Sequence, residues 1–317
     1  MPTVEPNVRV DHRNGHPQWR TLGDSHSFSS SDYDLEKPPP PEVSVVVVFW
    51  AQSSPFGTCL QKIRQAGHRI DDALEVIVVN NGCGAELADR LVGLWDRWIE
   101  VSENVGPARA RNLGARAARA PIVAFVDDDG HVAPDYFTRA LEYFEDPRVL
   151  GIRGRVQPRN HPFLSALATH YDRGAEPLPD ALITEGASLV RRRAFLDVHG
   201  FPEGVDGHEG IELTYRLLSN SARGTTLYAP DVLLSHDYVD GLREFVAKSV
   251  RHAQNEVDLD SRDPDAADFL RTYFKQSFPR RSLSPPQWLA RHGLRLLRFL
   301  LQSAARLQAR IAPGGSQ

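Results

Sequence analysis

Ile122-Val123-Ala124-Phe125-Val126 runs without a break into Asp127-Asp128-Asp129-Gly130, and this junction restricts the chain more than any other stretch. The apolar run, rich in β-branched and aromatic residues, reads as a strand buried on both faces. Three carboxylates at one strand end repel, and each raises the others' pKa unless positive charge sits among them. A divalent cation is the obvious such charge. On a strand-like backbone Asp127 and Asp129 point to one side and Asp128 to the other, which makes an Asp-x-Asp pair able to share one metal. The other reading is a polar turn in which Asp128 or Asp129 caps a following helix.

Around that junction the chain alternates strand and helix. Val43–Trp50 is a strong buried strand, and a helix through Cys59–Ile63 follows the turn at Ser53-Ser54-Pro55. Leu74–Val79 is a second strand ending at the turn signal Asn80-Asn81-Gly82. Leu87–Trp98 has helical apolar spacing, Ile99–Ser102 is a short strand, and Gly106-Pro107 opens a helix through Ala118. After the acidic junction come a helix at Tyr136–Phe144, a strand at Val149–Val156, an irregular or helical excursion over Pro158–Pro179 and a strand at Glu185–Val190. Helices around Arg192–Val198 and from Glu209 to Leu218, and a strand at Leu227–Leu234 running into Ser235-His236-Asp237, complete the pattern. Alternation at this pace predicts an α/β fold with a mostly parallel, Rossmann-like sheet flanked by helices. Ligands of such sheets sit at the carboxyl ends of the strands, where both Asn80-Asn81 and the acidic triplet fall.

Lys37-Pro38-Pro39-Pro40-Pro41 is a stiff spacer, so the expected organisation is an N-terminal extension (1–41, partly disordered), a main domain (42–270) and a basic helical segment (271–317). Trp19, Phe28 and Tyr33 give the extension a means of docking. An apolar content of 41% and a charged content of 25% are those of a soluble globular protein. Two cysteines, Cys59 and Cys83, are too few for a disulfide framework and have no metal-ligand spacing. The start of the chain carries no apolar core of a signal peptide, and no stretch reaches the apolar length of a membrane span. A cytoplasmic setting is expected.

Five segments in order resemble the glycosyltransferases of family 2, which have the GT-A fold. They are the Val-rich first strand, Val78-Val79-Asn80-Asn81-Gly82, Asn104-Val105-Gly106-Pro107-Ala108-Arg109-Ala110-Arg111-Asn112-Leu113-Gly114, the Asp triplet, and Gly207-His208-Glu209-Gly210-Ile211-Glu212-Leu213-Thr214-Tyr215-Arg216-Leu217. Together they cover roughly residues 43–240. The resemblance implies transfer of a sugar from a nucleoside-diphosphate sugar, a UDP-sugar favoured, to an acceptor hydroxyl, with inversion at the anomeric carbon. The acceptor class is left between a saccharide, a lipid-linked glycan and a small natural product. It further implies Asp129 as direct ligand to Mn2+ or Mg2+, with Asp127 and Asp128 on the ribose or on metal-bound water. His236 matches the position of a third ligand, and an imidazole ligand tilts the choice toward Mn2+. Arg111 and Asn112 are implied to border the nucleotide, near a helix N-terminus whose N–H groups favour anions.

Two positions depart from the family pattern. Asn80 stands where an Asp usually contacts the base. Gly210 stands where the second carboxylate of a Glu-Asp pair usually serves as the base that deprotonates the acceptor. Glu209 is the nearest replacement, with Glu212, Asp206 and His208 as further candidates; the alternative is that Glu209 and Glu212 merely favour a helix N-terminus. The departures also leave open a retaining outcome, a non-catalytic sugar-nucleotide-binding or scaffold protein, and a sugar nucleotidyltransferase. The last lacks its glycine-rich basic loop after the first strand.

From Phe269 onward the chain holds no Asp or Glu. Gln287–Ile311 reads as an amphipathic helix with Leu289, Gly293, Leu297, Leu300, Ala304, Leu307 and Ile311 on one face, and Arg291, Arg295, Arg298 and Arg306 largely on another. Packing on the domain or on a second subunit is the favoured role, and docking on an anionic membrane the other. No nucleic-acid recognition module accompanies the charge.

Overall fold

The computed structural model describes residues 8–12, 18–20, 40–50, 55–71, 73–83, 90–160, 168, 170–204, 207–239, 241–276 and 285–311. Its strands are β1 (Val8–His12), β2 (Gln18–Arg20), β3 (Val43–Phe49), β4 (Leu74–Asn81), β5 (Arg97–Val101), β6 (Ile122–Asp127), β7 (His131–Val132), β8 (Val149–Gln157), β9 (Leu178–Pro179), β10 (Ala187–Arg191) and β11 (Thr225–Ser235). Its helices are α1 (Phe56–Gly67), α2 (Pro107–Ala117), α3 (Tyr136–Tyr143), α4 (Arg192–Asp197), α5 (Glu209–Asn220), α6 (Leu242–Arg262), α7 (Pro264–Lys275) and α8 (Pro285–Ile311).

One 11-stranded sheet runs β2-β1-β5-β4-β3-β6-β10-β8-β11-β7, with β9 paired to β11. β5, β4, β3 and β6 are parallel neighbours, as the alternation requires. Beyond β6 the sheet is mixed, because β10 runs antiparallel to both β6 and β8 while β8 and β11 are parallel. β3 and β6 are covered on both faces. Val43, Val45, Val47 and Phe49, with Ile122, Ala124 and Val126, face one apolar layer. Val46, Val123 and Phe125 face the other. That two-sided burial is why these runs are continuous rather than alternating.

One expectation fails. Trp98 belongs to β5 and not to a helix: among the described residues, 91–93 form a turn and the strand begins at Arg97. Parallel pairing with β4 and burial of Trp98, Ile99 and Val101 outweigh the helical spacing of the apolar positions. Val8–His12 of the N-terminal stretch pairs antiparallel with β5 and carries β2 at the sheet edge. Phe28 and Tyr33 lie outside the described residues.

At the amino ends of the strands, the buried Glu75 accepts from Ser44 Oγ (2.6 Å) and from Arg119 Nε (2.7 Å), and pairs with Arg97 (3.0 Å). The carboxyl ends hold a different arrangement.

Candidate active site

Parallel register decides which residues meet. β3 lies between β4 and β6, pairing Phe49 with Asn80 and Val48 with Asp127. Asn80-Asn81 and the acidic triplet therefore flank the carboxyl end of one strand. Asn81 works on the backbone: its Oδ1 accepts from Val105 N (2.9 Å) and its Nδ2 donates to Asn104 Oδ1 (2.9 Å). This fixes the loop that feeds α2, which opens with Pro107 in its first turn. Asn80 is fully buried, and its Oδ1 accepts from Cys83 N (3.0 Å).

α2 delivers Arg111, whose guanidinium donates to Asp127 Oδ1 at 2.8 Å. Burial opposes the charge on Arg111, but the carboxylates of Asp127, Glu185 and Glu209 outweigh it and raise the pKa further. Burial likewise pushes the Asp127 carboxyl upward, and the charges of Arg111 and His236 more than reverse the effect, holding it below its ordinary value. Asn112, one residue along, is buried and turned elsewhere. It donates to the Phe201 carbonyl (2.9 Å) and Glu203 Oε1 (3.0 Å), and accepts from Phe201 N (2.9 Å). Those bonds tie α2 to the 201–203 loop.

The backbone leaves the strand after Asp127, turning so that Gly130 N donates to the Asp127 carbonyl (2.8 Å). Asp129 meets His236, at the end of β11, with Oδ1 3.1 Å from Nε2. His236 Nδ1 lies 3.3 Å from Tyr171 Oη, which sets the ring orientation. Burial opposes a charged ring, but the hydrogen bond to Asp129 and the charges of Asp127 and Asp129 raise its pKa. Arg159 donates from Nη1 to the Asp129 carbonyl (2.7 Å), with Nη2 3.9 Å from Oδ2. The charge of Asp128 acts instead on Cys83, whose thiol is raised by burial and by that carboxylate.

Among the described residues, no set of three or more His, Cys, Asp or Glu side chains could hold a metal by itself. Asp129 and His236 offer one hard oxygen and one imidazole nitrogen 3.1 Å apart. That donor set fits Mn2+ whose remaining ligands come from a phosphorylated substrate.

One wall of the site is acidic. Glu209 is buried in the first turn of α5. Glu185, just before β10, accepts from Gly210 N through Oε1 (2.9 Å). Burial, together with the charge of Glu209, pushes the Glu185 carboxyl up to about 7. Gly210 has no room for a side chain: a Cβ there would fall 1.8 Å from the Leu182 carbonyl oxygen and 2.8 Å from Glu185 Oε1. Glu212 points away from this wall, bonded to Arg216 (2.5 Å) and Arg262 (2.6 Å). His208 precedes α5 with its ring 4.9 Å from that of His252, and Asp206 lies outside the described residues.

The structure thus brings Arg111, Asp127 and Glu209 into one electrostatic cluster and joins Asp129 to His236. Sequence reasoning missed Glu185, Arg159 and Tyr171. None carries a local signal, since each reaches the site from a segment read only as an excursion or a strand start.

Residues 44–198 match the profile of Glycosyl transferase family 2. The chain is similar to the "Pre-mycofactocin glycosyltransferase" of Mycobacterium tuberculosis, 31% identical over 208 residues, covering 61% of this chain and 43% of that protein. It is also similar to the "Putative glycosyltransferase EpsH" of Bacillus subtilis, 31% identical over 105 residues, or 32% of this chain and 30% of that one. The chain spans less than half the length of these curated relatives. Among solved structures it resembles the mannosyltransferase PcManGT from Pyrobaculum calidifontis in complex with GDP-Man and Mn2+, with a TM-score of 0.55, 20% identity and coverage of 90% and 80% of the two chains. It also resembles GalNAc-T7 with UDP, GalNAc and Mn2+, with a TM-score of 0.54, 16% identity and coverage of 75% and 50%. These two likenesses are of fold. The matched region, residues 44–198, is just under half of the chain, and together these likenesses support a family 2-like glycosyltransferase domain on a GT-A fold.

Proposed function

We propose that this chain transfers a sugar from a nucleoside-diphosphate sugar to an acceptor hydroxyl, with a divalent metal and with inversion. The observation that carries this reading is the pairing of Asp129 with His236 beside the Arg111–Asp127 bridge, with the Glu185–Glu209 pair close enough to act on Arg111.

In this reading Asp129 and His236 hold the metal, which supplies charge neutralisation on the departing diphosphate. Arg111 holds Asp127 in place to receive the nucleotide, a role that Asp128 shares from the turn. The acceptor oxygen attacks the anomeric carbon as the bond to the diphosphate oxygen breaks. Its proton passes to Glu209, the base. Glu185 sits against the backbone of Gly210 where the family pattern would place an Asp side chain, so the second carboxyl of the wall comes from another element. A base whose partner titrates near neutrality suits this proton transfer.

Binding of UDP and GDP, measured by calorimetry with Mn2+ and with EDTA, tests the donor site, because the structural neighbours hold one or the other nucleotide. Metal-dependent binding of one nucleotide by wild type, lost in Asp129→Ala, is the expected result. Binding of neither by folded protein would overturn the donor assignment. Nucleotide-sugar binding without turnover on any saccharide, lipid-linked or small-molecule acceptor would favour a non-catalytic binding protein.

A further inference from the structure

α8 is one 27-residue helix, and its outer surface carries six large apolar side chains. Trp288, Leu289, Leu296, Phe299, Leu300 and Leu307 are all more than half exposed. At 100° per residue they fall within an arc of about 120°. The inner surface is a different set of leucines. Leu294, Leu297 and Leu301 are half-buried, and Leu297 packs against the main apolar layer while α8 lies along α6. Of the expected stripe, Leu289, Leu300 and Leu307 thus lie on the outside and Leu297 on the inside. No helix of the described residues, α8 included, is long and apolar enough to cross a membrane.

Two features decide what covers this surface. An exposed apolar face of this extent on an isolated chain marks a docking surface. Its charge surroundings are of one sign: no Asp or Glu occurs after Asp268, and the helix positions of Arg291, Arg295 and Arg298 border the apolar arc on one side, with that of Arg306 at the same angle as Trp288. Two copies pairing antiparallel through this face would bring the arginine-bearing flanks together with no carboxylate of α8 to answer them. A layer of anionic headgroups over apolar chains answers both the arc and the arginines.

We propose that α8 docks on an anionic lipid bilayer, lying in the plane of the interface with the Trp288–Leu307 arc buried among the acyl chains. α6, on which α8 packs, carries Lys248, whose Nζ donates to the Tyr238 carbonyl and sits 4.2 Å from the centre of the Tyr238 ring. The charge of Lys248 also acts on Asp127 and His236, so docking leaves this part of α6 one helix away from the membrane surface. The proposal stands independently of the transfer reaction.

The test is flotation of the whole protein with phosphatidylcholine vesicles, with and without about one-third phosphatidylglycerol. Wild type is expected to float with the anionic vesicles and not with the neutral ones, and to be released by about 1 M salt. L296E/F299E is expected to lose at least about tenfold in partitioning at an unchanged melting temperature and elution volume. Because both residues are exposed, the substitutions leave the core intact. Arg295→Ala provides a second variant, expected to weaken only the anionic component. Failure of wild type to bind either vesicle, or equal binding by L296E/F299E, would overturn the proposal. So would a wild-type dimer that the double variant converts to monomer without any vesicle binding, which would assign the face to a second copy.

Discussion

The Asp127 carboxylate rests on the Cα of Gly186: a Cβ at residue 186 would lie 2.0 Å from Asp127 Cγ. Gly186 immediately precedes β10, which pairs antiparallel with β6, so the two residues meet across the sheet at its carboxyl edge. Gly186→Ala must displace the carboxylate and loosen its 2.8 Å bond to Arg111. We expect nucleotide affinity to fall about tenfold, with a stability loss of about 1–3 kcal/mol. Calorimetry and thermal unfolding measure the two effects; unchanged affinity would show that Asp127 takes no part in binding.

Gly210 yields a sharper prediction, because the family pattern suggests restoring Asp there. Gly210→Asp would create the usual acidic pair in sequence, yet its Cβ collides with the backbone oxygen of Leu182, which cannot move without shifting the segment before β10. The substitution is expected to destabilise the fold by about 2–4 kcal/mol and to lower turnover rather than raise it. An increase in turnover would remove the assignment of the second carboxyl to Glu185.

Glu185 carries a pH signature. Its pKa is pushed from an ordinary value near 4.5 to about 7 by burial and by Glu209, so between those values the folded state binds more protons than the unfolded one. Stability from this group is present below about 4.5 and is lost as pH rises to about 7. Glu185→Gln keeps an acceptor for Gly210 N and removes the titration. Its melting temperature should exceed that of wild type more at pH 8 than at pH 5, by a difference worth about 1–2 kcal/mol after allowing for partial exposure. A pH-independent difference would contradict the shift.

Much of the sheet was legible because each parallel strand is a local apolar run, and a parallel α/β sheet places every carboxyl strand end on one edge. Asn80 and Asp127 could be assigned to that edge from the chain alone. Arg111 was legible for a similar reason, being near the start of a helix that opens with Gly-Pro. What the sequence hid depends on distant contacts. Glu185 joins Glu209 through the backbone of Gly210, and the requirement for glycine at 186 comes from a side chain on another strand. Asn112 belongs to the same motif as Arg111, yet one residue of helix turn sends it to Phe201 and Glu203 instead. The outer face of α8 was misread because Leu289, Leu300 and Leu307 follow helical spacing as well as Leu294, Leu297 and Leu301 do. Only packing on α6 distinguishes the two sets.

In the proposed metal site, Tyr171 is placed to orient the imidazole of His236. For His236 Nε2 to offer a lone pair to a metal, its proton must sit on Nδ1, and Tyr171 Oη at 3.3 Å is the acceptor in place for it. Tyr171→Phe removes that acceptor and leaves the ring, which also touches Asp129, free to rotate or change tautomer. Partners of this kind typically contribute about tenfold or more to metal affinity. We therefore expect Mn2+-dependent nucleotide binding to weaken about tenfold in Tyr171→Phe, with metal-independent binding unchanged. Because the effect runs through the imidazole, Tyr171→Phe combined with His236→Ala should bind no more weakly than His236→Ala alone. Additive losses in that cycle would mean that Tyr171 contacts the nucleotide itself, and the orienting role would be wrong.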